Sequence, residues 1–144
     1  MAGTPTQPSD LNGLSVGLLG KSIGVDMTAT NVVTLFTNGP NTALCTAIIL
    51  ENFSSFPAGS ATPATWAFSV GTDSATVPVN MRAAAAATAA STVIPIVWAF
   101  ALGTTTLSQY VAPGGKVYFA VSTATNGLGT FDVKLIGGIL TRSN

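Results

Sequence analysis

The chain has 144 residues, of which five are basic, five are acidic and none is histidine, so charged residues make up 7% and the formal net charge is zero. A free soluble domain carries about a quarter of its residues charged, so solubility and self-repulsion have little support here and the surface is expected to meet neighbours. The same scarcity removes most groups that do acid/base work or bind metals, and five scattered basic residues leave no electrostatic footprint for DNA or RNA.

In chain order, Met1 to Asp10 lacks a basic region followed by an apolar core, and nowhere is there an apolar run of the roughly 18 residues a membrane span needs. Neither a secretory signal nor a membrane partner is expected, and synthesis in a cytoplasm is. Met1 to Gly24 combines Pro5 and Pro8 with Gly13, Gly17, Gly20 and Gly24. Those glycines oppose a helix, yet Leu11, Leu14, Val16, Leu18, Leu19 and Ile23 are too apolar for a solvated linker. Both facts predict an extended N-terminal arm over residues 1–24 that lies on another surface. Fully extended it reaches at most roughly 80 Å, and those six apolar residues are its candidate contacts with a capsid or a second subunit.

From residue 25 to 144 the pattern predicts one all-β domain. Asn31 to Thr37, Leu44 to Phe53, Thr65 to Gly71, Thr92 to Ala101, Thr105 to Val111, Lys116 to Thr123 and Gly129 to Leu140 are rich in Val, Ile, Thr and aromatic residues. Turn clusters separate them: Asn38-Gly39-Pro40, Pro57-Ala58-Gly59, Pro113-Gly114-Gly115 and Asn126-Gly127. The expectation is an antiparallel, jelly-roll-like sandwich or barrel. Alternation is clearest near the end, where Val117, Phe119 and Val121 share one face, as do Phe131, Val133 and Leu135. With Ile48, Leu50 and Phe68 they form the expected core. Pro95 puts its strand at a sheet edge or a bulge. Asn80 to Ala90 reads differently: Asn80 caps an alanine run that favours a short helix.

Motifs that carry chemistry are sparse. Ser15 to Ser22 ends like a phosphate-binding loop but lacks its first glycine and the strand and helix on either side. Asn52-Phe53-Ser54 fits a glycosylation acceptor without a secretory context. Glu51, Asp73 and Asp132 supply carboxylates, but no spacing pairs two of them for glycoside hydrolysis and no cluster suits calcium. Cys45, in an apolar run, reads as a buried, inert thiol. Trp66, Trp98, Phe100, Tyr110 and Tyr118 read as core packing before they read as a sugar platform. No catalytic residue, metal ligand or cofactor site is expected.

The segments Thr34 to Thr37, Ala47 to Asn52, Trp66 to Gly71, Val111 to Tyr118, Gly129 to Val133 and Gly137 to Leu140, in this order, resemble the small jelly-roll structural proteins of tailed bacteriophages, most of all head decoration, or cement, proteins. The alanine stretch Ala83 to Ala90 departs from that pattern. The resemblance implies a virion protein on the outside of the phage head, commonly a homotrimer, whose partners are its own copies and the major capsid protein. It equally allows a neck, tail-fibre or receptor-binding module that recognises host-surface carbohydrate.

Overall fold

Strand-forming residues separated by turns produce nine strands, with no helix among the described residues. A computed structural model describes residues 16–26, 29–54, 65–88, 95–100, 109–123 and 129–140. The strands are β1 (Gly17–Asp26), β2 (Asn31–Thr37), β3 (Thr42–Glu51), β4 (Thr65–Gly71), β5 (Arg82–Thr88), β6 (Ile96–Ala99), β7 (Tyr110–Val111), β8 (Lys116–Thr123) and β9 (Thr130–Leu140). β2, β4 and β8 coincide with the segments expected from composition. Of the expected strand over Thr92 to Ala101, residues 95–100 are described and contain β6; of Thr105 to Val111, residues 109–111 are described and contain β7.

Two antiparallel sheets pack face to face. Sheet A has the order β1-β9-β3-β6, with β7 also on β3, and sheet B has the order β2-β8-β4-β5. β6 pairs with residues 47–50 of β3 and β7 with residues 43–44, so the two lie end to end along one edge. The pairs β1:β9, β2:β8, β3:β6/β7 and β4:β5 are those of one long hairpin folded over itself. Consecutive strands change sheet except at β4–β5 and between β6 and β7, which share the edge of β3; this is jelly-roll connectivity.

Alternation then sorts side chains between the sheets and their outer faces. Ile48, Leu50, Phe68, Val117, Phe119, Val121, Phe131, Val133 and Leu135 are all buried, as their period-two spacing requires. Their centre is a chain of flat groups. Phe68 stacks on Phe119 at 5.2 Å, Phe119 meets Phe131 edge-on at 5.7 Å across the gap between sheets, and Phe131 stacks on Phe53 at 5.7 Å. Each ring pair adds about 0.5–1.5 kcal/mol to the area it buries. Cys45 is fully buried, and desolvation pushes its thiol up to about 12, so it is a small apolar filler.

The column continues to the open seam through Arg82. Its guanidinium lies 3.6 Å from the centre of the Phe68 ring and 4.4 Å from that of Trp98, bridging β4 of sheet B and β6 of sheet A. Arg82 is only 3% exposed. Its two terminal nitrogens donate to backbone, to Phe68 O and to Ala85 O at 3.4 Å, where the β4–β5 pairing shifts register, while its Nε is buried without a hydrogen-bond partner. The planar fork fills the bulge and satisfies carbonyls that the ladder leaves over. Burial lowers the guanidinium to about 10, which still leaves it charged at neutral pH.

One end of the sandwich is closed by two of the expected turns docking on each other. Ala112-Pro113-Gly114-Gly115 has Gly115 N donating to Ala112 O at 2.9 Å and a φ of 73° at Gly114, the geometry of a type II turn with proline at its second position. Buried Asn38 donates to the carbonyls of Asn41, Val111 and Ala112, and Gly114 N donates to Gly39 O. Side-chain amide bonds thus replace the ladder where the strands stop.

Two expectations are corrected. Residues Arg82–Thr88 are a strand and not a helix, because pairing with β4 and the Arg82 bracket outweigh the few tenths of a kcal/mol per residue by which alanine prefers a helix. The boundary expected at residue 24 falls inside β1, whose Gly17 to Asp26 pair with β9 and whose Val25 is in the core. Glycine reads as loop in sequence, but here Gly20 sits where any Cβ would collide with Leu35 O of β2, and Gly24 adopts a φ of 68° in a bulge.

Two measurements test this packing. Deleting residues 1–24 removes β1 and bares β9, so it will lower the thermal midpoint strongly or abolish cooperative unfolding. Arg82→Lys keeps the charge but loses the fork, and urea denaturation will show a loss of roughly 2 kcal/mol.

Candidate interaction face

The outer face of sheet A follows from register. Leu18 pairs with Ile136, Ile136 with Ala47 and Ala47 with Ala99, which lays an apolar row across all four strands. In the next row Lys21 pairs with Lys134, Lys134 with Ile49 and Ile49 with Val97. Asp132 opposite Glu51 completes the patch. The intervening Ile48, Leu50, Val133 and Leu135 point into the core, so these residues face out.

Large apolar side chains concentrate here. Leu18, Ile23, Val97 and Tyr110 are 53%, 69%, 63% and 59% exposed, and Val16, just before β1, is 59% exposed. These are five of the seven exposed large hydrophobics among the described residues; the others are Val77 and Trp98. Leu18 is part of the apolar row, Val97 lies one row further along, and Ile23 lies beside the charged residues Lys21, Glu51, Asp132 and Lys134.

Of the six contact residues expected from sequence, Val16, Leu18 and Ile23 lie on or beside this face, whereas Leu11 and Leu14 lie outside the described residues. Leu19 is corrected: it packs against the core, with its Cδ1 close over Gly137 of β9. The β1–β9 pairing shifts register between Leu18 and Gly20, and the extra residue turns inward. Sequence reasoning missed Val97 and Tyr110, because their membership depends on β6 and β7 lying beside β3.

Four of the ten charges share one end of the face and neutralise one another. Lys134 pairs with Glu51. Asp132 accepts hydrogen bonds from Asn52 Nδ2 at 2.8 Å and Gly24 N at 2.9 Å. Asn52 has a φ of 55°, a left-handed conformation that Asn tolerates, and so places its amide on the carboxylate. The Asn52 bond holds the Asp132 carboxyl below its ordinary value, with smaller help from Gly24 N–H, Lys134 and Lys21 against slight desolvation. Both Asp132 oxygens accept hydrogen bonds, one from Gly24 N and one from Asn52 Nδ2, which fixes the carboxylate beside Glu51. Asp73, the third carboxylate considered, lies elsewhere, on the β4–β5 connection, accepting from Val79 N.

The other sequence motifs resolve similarly. Gly17 to Ser22 is extended in β1 rather than folded as a phosphate loop. Phe100 is buried, Trp98 serves Arg82, and the side chain of Trp66 lies outside the described residues. Among the described residues no three metal-ligating side chains cluster, and no helix is long and apolar enough to cross a membrane.

No protein-family model matches the chain, and no curated protein matches it. Among solved structures it is similar to a chain of the cyanophage Pam1 capsid asymmetric unit, at 19% identity over 96% of this chain and 91% of that one, with a TM-score of 0.40.

Asp132 yields a pH prediction. A carboxyl lowered in the folded state contributes stability above the unfolded value of about 3.9, and that contribution is lost as pH falls through the folded value. Asn52→Ala will move the Asp132 titration upward in carboxyl-carbon NMR and shrink the acid-side loss of stability it causes.

Proposed function

We propose that this protein is a bacteriophage virion structural protein, a decoration or cement protein that docks on the outside of the phage head through the outer face of sheet A. The observation that carries the reading is the apolar row across sheet A, flanked by exposed Leu18, Ile23 and Val97, on a chain with ten charges in 144 residues. Its charged end is internally neutralised, so desolvating it costs the partner no unpaired ion. The jelly-roll connectivity agrees with the family that the strand segments resemble.

The reading involves no chemistry, catalytic residue, metal or cofactor. A cement protein binds the assembled lattice better than its unassembled subunits and stabilises the shell by that difference. The partners are the major capsid protein and further copies of this chain. A closed homotrimer suits the role, since rotational symmetry buries shared surface without growing filaments, and it brings several lattice contacts to bear at once.

The test separates folding from attachment. Leu18→Asp and Ile23→Asp lie on the surface and will change stability by no more than about 0.5 kcal/mol, yet will release the protein from capsids in sedimentation. Leu19→Ala will instead lower the melting temperature. Retention of both aspartate variants on capsids, or a monomer mass by light scattering at all concentrations, contradicts the reading.

A further inference from the structure

The end of the sandwich that Asn38 closes contains an asparagine followed by a glycine, the pair most prone to lose its side-chain amide. Asn-Gly occurs three times in the chain, at Asn12-Gly13, Asn38-Gly39 and Asn126-Gly127, and only the second lies within the described residues. Here the fold needs the asparagine. Asn38 is 5% exposed, its Nδ2 donates to Asn41 O at 2.6 Å and to Val111 O and Ala112 O at 3.0 Å, and its main-chain N donates to Gly115 O at 2.8 Å. The fold does not need the glycine. Gly39 is exposed, its φ lies outside the left-handed region and a Cβ built on it meets nothing within 4 Å. By contrast, Gly20, Gly71 and Gly137 are held by close approach, and Gly24 and Gly114 by a positive φ.

What Gly39 does supply is reactivity. With no side chain in the way, its main-chain N can lose its proton and attack Asn38 Cγ; the N–Cγ bond forms, the Cγ–Nδ2 bond breaks, and Nδ2 leaves as ammonia from a five-membered succinimide. Water then opens the ring at either carbonyl, giving aspartate or, with the main chain rerouted through Cγ, isoaspartate. One water is consumed and one ammonia released, with no other reactant.

The folded protein opposes each step. Attack puts negative charge on Oδ1, and Asn38 Oδ1 is buried without a hydrogen-bond partner, so no described donor stabilises that charge. Departure of Nδ2 breaks its bonds to three carbonyls. In the unfolded chain water solvates both atoms and neither restraint exists. The product does not fit back. An ionised carboxylate only accepts, and at position 38 it would lie buried against three carbonyl oxygens that also only accept. Isoaspartate adds a methylene to the main chain between the bonds from Asn38 N to Gly115 O and from Gly114 N to Gly39 O. We propose that Asn38-Gly39 is a deamidation site that folding shuts, and that its conversion in the unfolded chain prevents this end of the sandwich from closing again. Unfolding then becomes one-way: chains left unfolded too long leave the pool that can fold.

The test uses the full chain and is independent of the capsid reading. Protein held unfolded in guanidinium chloride and protein held native, both at the same mildly alkaline pH, will be sampled over days. Peptide mass spectrometry reads conversion at each Asn-Gly pair, and the cooperative unfolding signal after dilution reads the fraction refolded. The unfolded sample will lose refoldable protein in proportion to conversion at Asn38, whereas the native sample will convert Asn38 at least about tenfold more slowly, since the site must first open. Gly39→Ala will melt as the unchanged chain does and will keep Asn38 and its refolding yield through the same treatment, although Asn12 and Asn126 still convert. Asn38→Asp will show the product's defect directly, as a drop of about 10 °C or more in melting temperature. The proposal is overturned if Asn38 converts as fast in the native protein, if Gly39→Ala loses refolding as quickly as the unchanged chain, or if Asn38→Asp melts where the unchanged chain does.

Discussion

The structure depends on one continuous column of flat groups that crosses the sandwich. Trp98, Arg82, Phe68, Phe119, Phe131 and Phe53 follow one another at ring-contact distances, passing from β6 of sheet A through β5, β4 and β8 of sheet B and back to β9 and the end of β3 in sheet A. Rings that meet edge-on or offset resist sliding more than aliphatic contacts do, so the column sets how the sheets lie on each other. Register along each strand then decides which residues are left outside. The apolar row on sheet A is a consequence of that alignment.

Arg82 shows what a chain with few charges does with them. Without a carboxylate, the guanidinium spends its donors on bulge carbonyls and its faces on Phe68 and Trp98. Lys21, Glu51, Asp132 and Lys134 are gathered and internally neutralised at the end of one face, and Asp73 is committed to a loop. The charges position backbone and leave long-range repulsion almost absent. A surface of that kind associates by shape and apolar area, which is the physical content of the proposed lattice-binding role.

The bulges do comparable work. β1 shifts register twice against β9, β2 shifts against β8, and β3 shifts at Cys45 with the Thr46 hydroxyl donating to Ile136 O. β1 and β2 are edge strands, and bulged, twisted edges are poor templates for pairing with another chain.

Much of this was determined by the amino-acid sequence alone. β2, β4 and β8, the nine expected core residues, the Pro113-Gly114-Gly115 turn and the inert Cys45 all follow from local rules, because period two and turn chemistry act over a few residues. Val16, Leu18 and Ile23, singled out in the sequence as apolar residues among glycines, are exposed. What only the tertiary structure decided are the features made by residues distant in sequence. Glycines that read as an arm became β1 because the segment pairs with β9, and at Gly20 β2 approaches so closely that no side chain fits. Alanines that read as a helix became β5 because β4 offered a ladder and Arg82 filled the bulge. Val97 and Tyr110 joined Leu18 on one face because long-range pairing assigns neighbours that local propensity cannot specify.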